Sequence, residues 1–341
     1  MDLQNIWFVI IAIFWVGFFV LEGFDLGVGM LHWFVGRDDT ERRVAINAIG
    51  PFWDGNEVWL IVGGAAIFAA FPGWYATMFS SLYLALVLVL LALMARGVAF
   101  EYRGKRDSVA WRTGWSWALG VGSALIPLLL GVGLGDLLVG LPIDADQEYT
   151  GTFWNLLTPY GLLTGIGLLV LCLAHGASFL ALKTTGAVRE RSEKAAITFT
   201  GVSFFVVILW VLTTAVVVGI KPASLVFQVL AVLGVVVSLL FQRKGRDGIA
   251  FTGSAVGIGS VVAALFASLF PNVMVSSTNV ANNLTIANTA SGSYALTIMT
   301  WVAVIMFPIV LLYQGWTYYA FRRRVVGPPS GTEVPSGADV S

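Results

Sequence analysis

The sequence predicts an all-α integral membrane protein: about nine transmembrane helices in bundles, with the N-terminus outside and the C-terminus cytoplasmic. Three observations lead there. Apolar residues make up 58% of the 341 positions and charged residues only 11%, against about 25% charged in a soluble protein, and mean hydropathy is +0.86. Apolar runs of the roughly 20 residues that cross a bilayer recur along the chain. The basic residues gather in alternate connections, the pattern of a polytopic protein obeying the positive-inside rule.

Hydropathy and helix breakers place the spans at about 6–35, 44–71, 74–100, 112–141, 153–184, 195–219, 222–242, 249–270 and 295–321. Several exceed what the hydrocarbon needs, so they should tilt or project beyond it. Of the nineteen Lys and Arg, all but Lys221 lie in or beside the connections 36–43, 101–112, 183–194 and 242–248 or just after Phe321. The intervening connections carry Asp144, Asp146 and Glu148, or no charge at all in 271–294. A wrong span count would scramble this alternation. The N-terminus, MDLQNIWF, has no basic stretch before its apolar run and reads as a retained first span. Residues 1–324 are expected to form one polytopic domain, and the Pro/Gly/Ser-rich 325–341 a disordered cytoplasmic tail.

Four GxxxG pairs, Gly23/Gly27, Gly131/Gly135, Gly161/Gly165 and Gly253/Gly257, are read as helix-packing sites. GVGLGDLLVG at 131–140 lies inside a span with no strand before it, so it is no dinucleotide fingerprint. The lone Cys172 excludes an internal disulfide and a thiolate metal site.

The informative residues are acidic. LEGFDLGVG puts Glu22 and Asp25 three apart on one face of the first span, and WDGNEVWL puts Asp54 and Glu57 three apart in the second. Asp25 and Asp54 stand equally far from the middle of the connection 36–43, and Glu22 and Glu57 equally far one turn deeper. An antiparallel hairpin would therefore set the four groups in two matched layers. An ionised carboxylate at a helix centre costs roughly 2.5–3.5 kcal/mol, so four cost on the order of 10 kcal/mol, comparable to the stability of a whole domain. They must be protonated, paired or wetted. Carboxylates held that way can exchange protons, and a row leading in from the basic side has the chemistry of a proton relay. The bland alternative is a hydrogen-bonded cluster that only locks the helices together.

Other polar groups say less. Arg96 and Glu101, near the basic end of the third span, are expected to snorkel to the interface, with Glu101 a second candidate for a proton entrance. Asp136 is expected at the outer interface, and His32 and His175 as packing histidines. Two isolated histidines cannot supply several haem sites, so redox metal chemistry would reside in a partner chain. No catalytic, cofactor-binding or metal-binding residue is assigned, and no nucleic-acid partner is expected.

At this point the motifs LEGFDLGVGML (21–31), RDDTERR (37–43), INAIGPFWDGNEVWLI (46–61), FAAFPGWYATMFSSLYLALVLVLLALMARGVAFEYR (68–103), MVSST (274–278) and MTWVAVIMFPIVLLYQGW (299–316) resemble subunit II of the cytochrome bd-type quinol oxidases over nearly the whole chain. Glu22 and Glu101 stand where many relatives have aspartate, and both keep the carboxylate. The resemblance implies a bacterial plasma-membrane heterodimer with a subunit I that holds b-type and d-type haems, oxidises quinol near the outer face and reduces dioxygen to water. This chain would bind no haem, stabilise its partner, and help deliver protons and oxygen. A membrane potential would arise without a pump, because quinol releases protons outside while oxygen reduction consumes cytoplasmic ones. Lipid, a structural quinone and small accessory subunits belong to the same family picture. By resemblance Asp54 belongs to cytoplasmic proton uptake, Asp25 and Glu101 lie near that route, and Trp59 borders an oxygen passage; the relay read from the carboxylate spacing adds Glu57 and Glu22 as the groups that carry the proton deeper. A proton-coupled secondary transporter would also keep intramembrane carboxylates, but the sequence has no inverted repeat. A purely structural scaffold is the third reading.

Overall fold

A computed structural model describes residues 2–326; the rest of the tail expected over 325–341 lies outside the described residues. The chain order is α1 (Leu3–Val35), α2 (Asp39–Ile49), α3 (Trp53–Ala70), α4 (Pro72–Ser81), α5 (Tyr83–Tyr102), α6 (Val109–Val139), α7 (Pro159–Lys183), α8 (Gly186–Val217), α9 (Pro222–Arg243) and α10 (Asp247–Leu269). A ribbon of β1 (Asn272–Met274) and β2 (Leu284–Thr285), the single turn α11 (Ile286–Thr289) and α12 (Ser293–Ala320) follow. The strands pair antiparallel, with Asn272 opposite Thr285.

The all-α membrane architecture stands, and eight helices are long and apolar enough to cross a bilayer. The remaining expected span, 44–71, is two helices. Pro51 has no N–H to continue the ladder, and Phe52 N closes a tight turn on Ile49 O at 2.9 Å, so α3 starts afresh at Trp53. Its 18 residues include Asp54, Asn56 and Glu57, which dilute its hydropathy. The span expected over 74–100 also divides, at Leu82. There Ser80 and Ser81 both turn their hydroxyls back onto Thr77 O, a competition with the backbone that bends helices. The basic connection at 183–194 is mostly helix, because α8 already begins at Gly186.

α1 is the hub. It packs against α3, α6, α7 and α10, and its buried face runs from Trp7 to Val35. Small residues let it approach its neighbours. A Cβ on Gly27 would collide with the Cys172 carbonyl and come within 2.8 Å of Gly176 Cα on α7. The other glycine pairs do the same work: Gly131 faces Gly165, Gly135 faces Gly161, and Gly253 and Gly257 face Gly234. The packing reading of the GxxxG motifs therefore holds.

Ion pairs draw the basic connections to one face. Asp39 meets Arg103 at 2.5 Å and Arg112 at 3.5 Å, Glu41 meets Arg191 at 2.6 Å, and Asp247 meets Arg189 at 2.9 Å and Arg324 at 3.3 Å. Hydrogen bonding from Arg191 holds the Glu41 carboxyl below the usual carboxylate range. Val325 N donates to Lys183 O at 2.7 Å on the same face. At the opposite end the chain closes with uncharged contacts: Thr77 Oγ1 donates to Gln147 O, and Ser276 Oγ, Thr278 Oγ1 and Asn282 Nδ2 all donate to Ile143 O.

Gly27→Val should lower the thermal unfolding midpoint of the purified protein, since overpacking a close helix contact costs about 1–3 kcal/mol. Gly201→Ala, where a Cβ meets nothing within 4 Å, should leave the midpoint unchanged or raise it.

Candidate functional site

Helical spacing puts Glu22 and Asp25 on the face of α1 that turns inward, and both are fully buried. Glu22 does meet the second layer expected of it, but through a cation. Arg96 of α5 places Nη1 2.5 Å from Glu22 Oε1 and 3.3 Å from Glu57 Oε2. Arg96 is not snorkelling: its exposure is 0%. α5 continues to Tyr102, so Arg96 lies well inside the helix end and finds two carboxylates nearer than water. Its Nε and Nη2, and Glu22 Oε2, make no hydrogen bond among the described residues.

Asp25 is held by amides. Asn56 Nδ2 donates to Asp25 Oδ2 at 2.7 Å and to Leu21 O at 3.1 Å. Asn56 Oδ1 in turn accepts from Gln314 Nε2 at 3.0 Å and from the Tyr318 hydroxyl at 2.9 Å, both on α12. Trp59 Nε1 donates to Gln314 Oε1 at 2.9 Å. Every donor points the same way, from Trp59 and Tyr318 through Gln314 and Asn56 to Asp25. A flipped Asn56 amide would set oxygen against carboxylate on one side and strand both α12 donors on the other, so the order is fixed by the partners. Chains polarised in one direction strengthen each link.

The matched layer of Asp25 and Asp54 does not form. Asp54 is exposed and lines a cleft of about 760 Å³ between α3 and α12, whose walls include Phe14, Trp59, Val302 and Phe307. Asn56, two residues on, takes the position facing Asp25. Glu57 keeps 19% of its side chain exposed, so it stands between the sealed pair on α1 and the solvent-accessible side of α3. Glu101 is exposed at the end of α5, and Trp59 is buried at the cleft wall.

The two histidines and Asp136 lie elsewhere. His175 spends Nδ1 on Ser254 Oγ at 2.7 Å and Nε2 on Val20 O at 3.0 Å. His32 is buried with Nδ1 2.7 Å from Gly29 O. Neither borders the cleft, and His175 has no ring nitrogen left free for a metal. Among the described residues no cluster of three or more His, Cys, Asp or Glu could hold a metal ion. Asp136 lies near the end of α6 and is fully buried by protein, accepting from Thr158 Oγ1 at 2.5 Å. Sequence reasoning missed Arg96 as the bridge, Asn56 as the hinge, and Gln314 and Tyr318 as its anchors. The i, i+4 spacing of the last two in YQGWTY was the available signal.

Known proteins agree on the chain's kinship. The cytochrome bd terminal oxidase subunit II family profile matches residues 3–321. The chain is 44% identical to cytochrome bd ubiquinol oxidase subunit 2 of Bacillus subtilis, over 95% of this chain and 97% of that one. It is 37% identical to cytochrome bd-I ubiquinol oxidase subunit 2 of Escherichia coli K12, over 95% of each. Its fold matches the bd oxidase from Geobacillus thermodenitrificans with a TM-score of 0.72 at 18% identity, over 94% of this chain and 99% of that one.

Asn56→Leu should destabilise the protein by several kcal/mol, because it leaves Asp25 Oδ2, Gln314 Nε2 and the Tyr318 hydroxyl without their partner at about 1–3 kcal/mol each. Denaturation of the purified complex checks this; a loss under about 1 kcal/mol contradicts the network.

Proposed function

This chain belongs to the cytochrome bd terminal oxidase subunit II family, and we propose that within its quinol oxidase it is the haem-free subunit that stabilises subunit I and passes cytoplasmic protons toward the site of oxygen reduction. Membership makes it part of a respiratory oxidoreductase complex with a subunit I and haem in the complex, and a multi-pass protein of the bacterial plasma membrane. The face that gathers the basic connections is taken as cytoplasmic by the positive-inside rule, which puts the N-terminus outside. Haems b and d are assigned to subunit I, which would take electrons from quinol and reduce dioxygen to water. Protons released outside and consumed from inside then separate charge without a pump.

One observation carries the proton assignment: a buried set of carboxylates on α1 adjoins a half-buried one and an exposed one on α3. Asp54, exposed on the cleft, is the entrance group, with exposed Glu101 at the basic end of α5 as a collector. Glu57 receives the proton because it alone combines partial exposure with a direct link to the interior, through Arg96. Glu22 and Asp25 form the inner station. Arg96 keeps Glu57 and Glu22 in register, and Asn56 orients Asp25. Trp59, on the apolar wall of the cleft beside Phe14 and Phe307, is the residue assigned to an oxygen passage. Lipid, a tightly held quinone and small accessory subunits are further associates of such an assembly. The same Arg96 bridge also suits a scaffold that only stiffens the bundle, and the experiment separates the two.

Asp54→Asn should slow oxygen reduction severalfold in the purified complex, with haem content and subunit stoichiometry unchanged. Normal turnover removes Asp54 from the route; normal turnover in Glu57→Gln as well leaves only the scaffold.

A further inference from the structure

Glu22 and Asp25 are three residues apart on the buried face of α1, a spacing that makes their side chains neighbours, and both are fully buried. Two carboxylates are two acceptors, and neither can donate to the other. Asn56 supplies a donor to Asp25 Oδ2, but Asp25 Oδ1 and Glu22 Oε2 receive none among the described residues. Buried polar atoms in folded proteins nearly always have a partner.

Arg96 Nε and Nη2 are donors left without a hydrogen bond among the described residues, so neither serves these oxygens, and the other neighbours are acceptors or already engaged. On α3, Glu57 and the exposed Asp54 are carboxylates themselves. On α7, His175 has both ring nitrogens engaged by Ser254 and Val20, and Cys172 packs beside Gly23 with a thiol that donates only weakly. On α12, the Tyr318 hydroxyl is committed to Asn56. On α5, Arg96 is the one cation among the described residues paired with any of these acids, and it divides one Nη1 between Glu22 and Glu57. With all three of Glu22, Asp25 and Glu57 ionised, one guanidinium would face three negative charges inside a helical bundle in lipid, where an uncompensated charge is strongly disfavoured.

We propose that Glu22 and Asp25 share one bound proton, forming an acid–carboxylate pair in which that proton is the donor both side chains lack, and that Arg96 sets the occupancy of this store. The inference rests on the proton-route reading and deepens it: the inner station is loaded at rest, so a proton arriving through Glu57 displaces one already in place. Arg96 is a positioning residue. By neutralising one negative charge it limits the cluster to one stored proton; without it a second carboxyl must take a proton.

Infrared spectra of the whole oxidase complex, recorded in H2O and D2O, test this through the carboxylic-acid C=O stretch that shifts on deuteration. Glu22→Gln and Asp25→Asn should each abolish one such band, because either amide supplies an N–H donor in place of the proton and so keeps the fold. Arg96→Gln should raise the band roughly two-fold as a second acid is neutralised, and Arg96→Lys should leave it as in the unaltered complex. A spectrum unchanged in both amide variants overturns the proposal, as does an unchanged band in assembled Arg96→Gln. The proton route fails separately: full turnover in Asp54→Asn with the band intact refutes the route and not the shared proton. Slowed turnover in that variant with no such band refutes only the shared proton.

Discussion

Arg96 has no route to water, and its guanidinium reaches Glu22 on α1 and Glu57 on α3 from α5. A charge so placed constrains everything around it. Burying an ion pair gains little net stability, because desolvation offsets the attraction, but misplacing one partner leaves a bare charge in a low-dielectric interior. The bridge therefore acts on register. α1, α3 and α5 have one relative depth at which the three side chains meet, and slippage by a turn would expose each of them to lipid or to one another's backbones. The close glycine contacts of α1 with α7 fix the other side of the same helix. Between these two constraints α1 has almost no freedom, which suits a helix carrying the inner carboxylates.

The second arm of the polar interior runs outward to α12. That helix is exposed along most of its length, yet it is pinned at three levels. Trp7 Nε1 donates to Leu296 O and Thr300 Oγ1 near its start, Gln314 and Tyr318 hold Asn56 further along, and Lys183 Nζ donates to the Phe321 and Arg323 carbonyls at its end. The last contact places a cation where the helix leaves its carbonyls unpaired. Between the pins α12 stands off from α3 and leaves the cleft that exposes Asp54. Polar anchoring with apolar separation is what lets one carboxylate remain accessible while its neighbours are sealed.

Much of this was legible in the sequence. The apolar runs located most of the helices, and the alternation of basic connections matched their gathering on one face, because burial in lipid imposes a coarse pattern that few residues can violate. The glycine pairs named real contacts, because only a missing Cβ permits that approach. The pairing of Glu22 with Glu57 was legible as depth, since position along a hairpin counts residues from the turn. Azimuth was not legible. The restart of the helix after Pro51 turned Asn56 toward Asp25 and left Asp54 on the cleft, and no count from the loop could reveal that. Arg96 was misjudged for a related reason: snorkelling depends on whether water is nearer than a carboxylate, and that distance is a property of packing.

The most direct test of this account is a density map of the intact complex in a lipid nanodisc, at a resolution that fixes side chains. The account predicts the Arg96 guanidinium lodged between Glu22 and Glu57, with Asn56 turned to Asp25 and held from behind by Gln314 and Tyr318. A map in which Arg96 extends to the headgroups, or in which Glu22 and Asp25 face lipid, would contradict it.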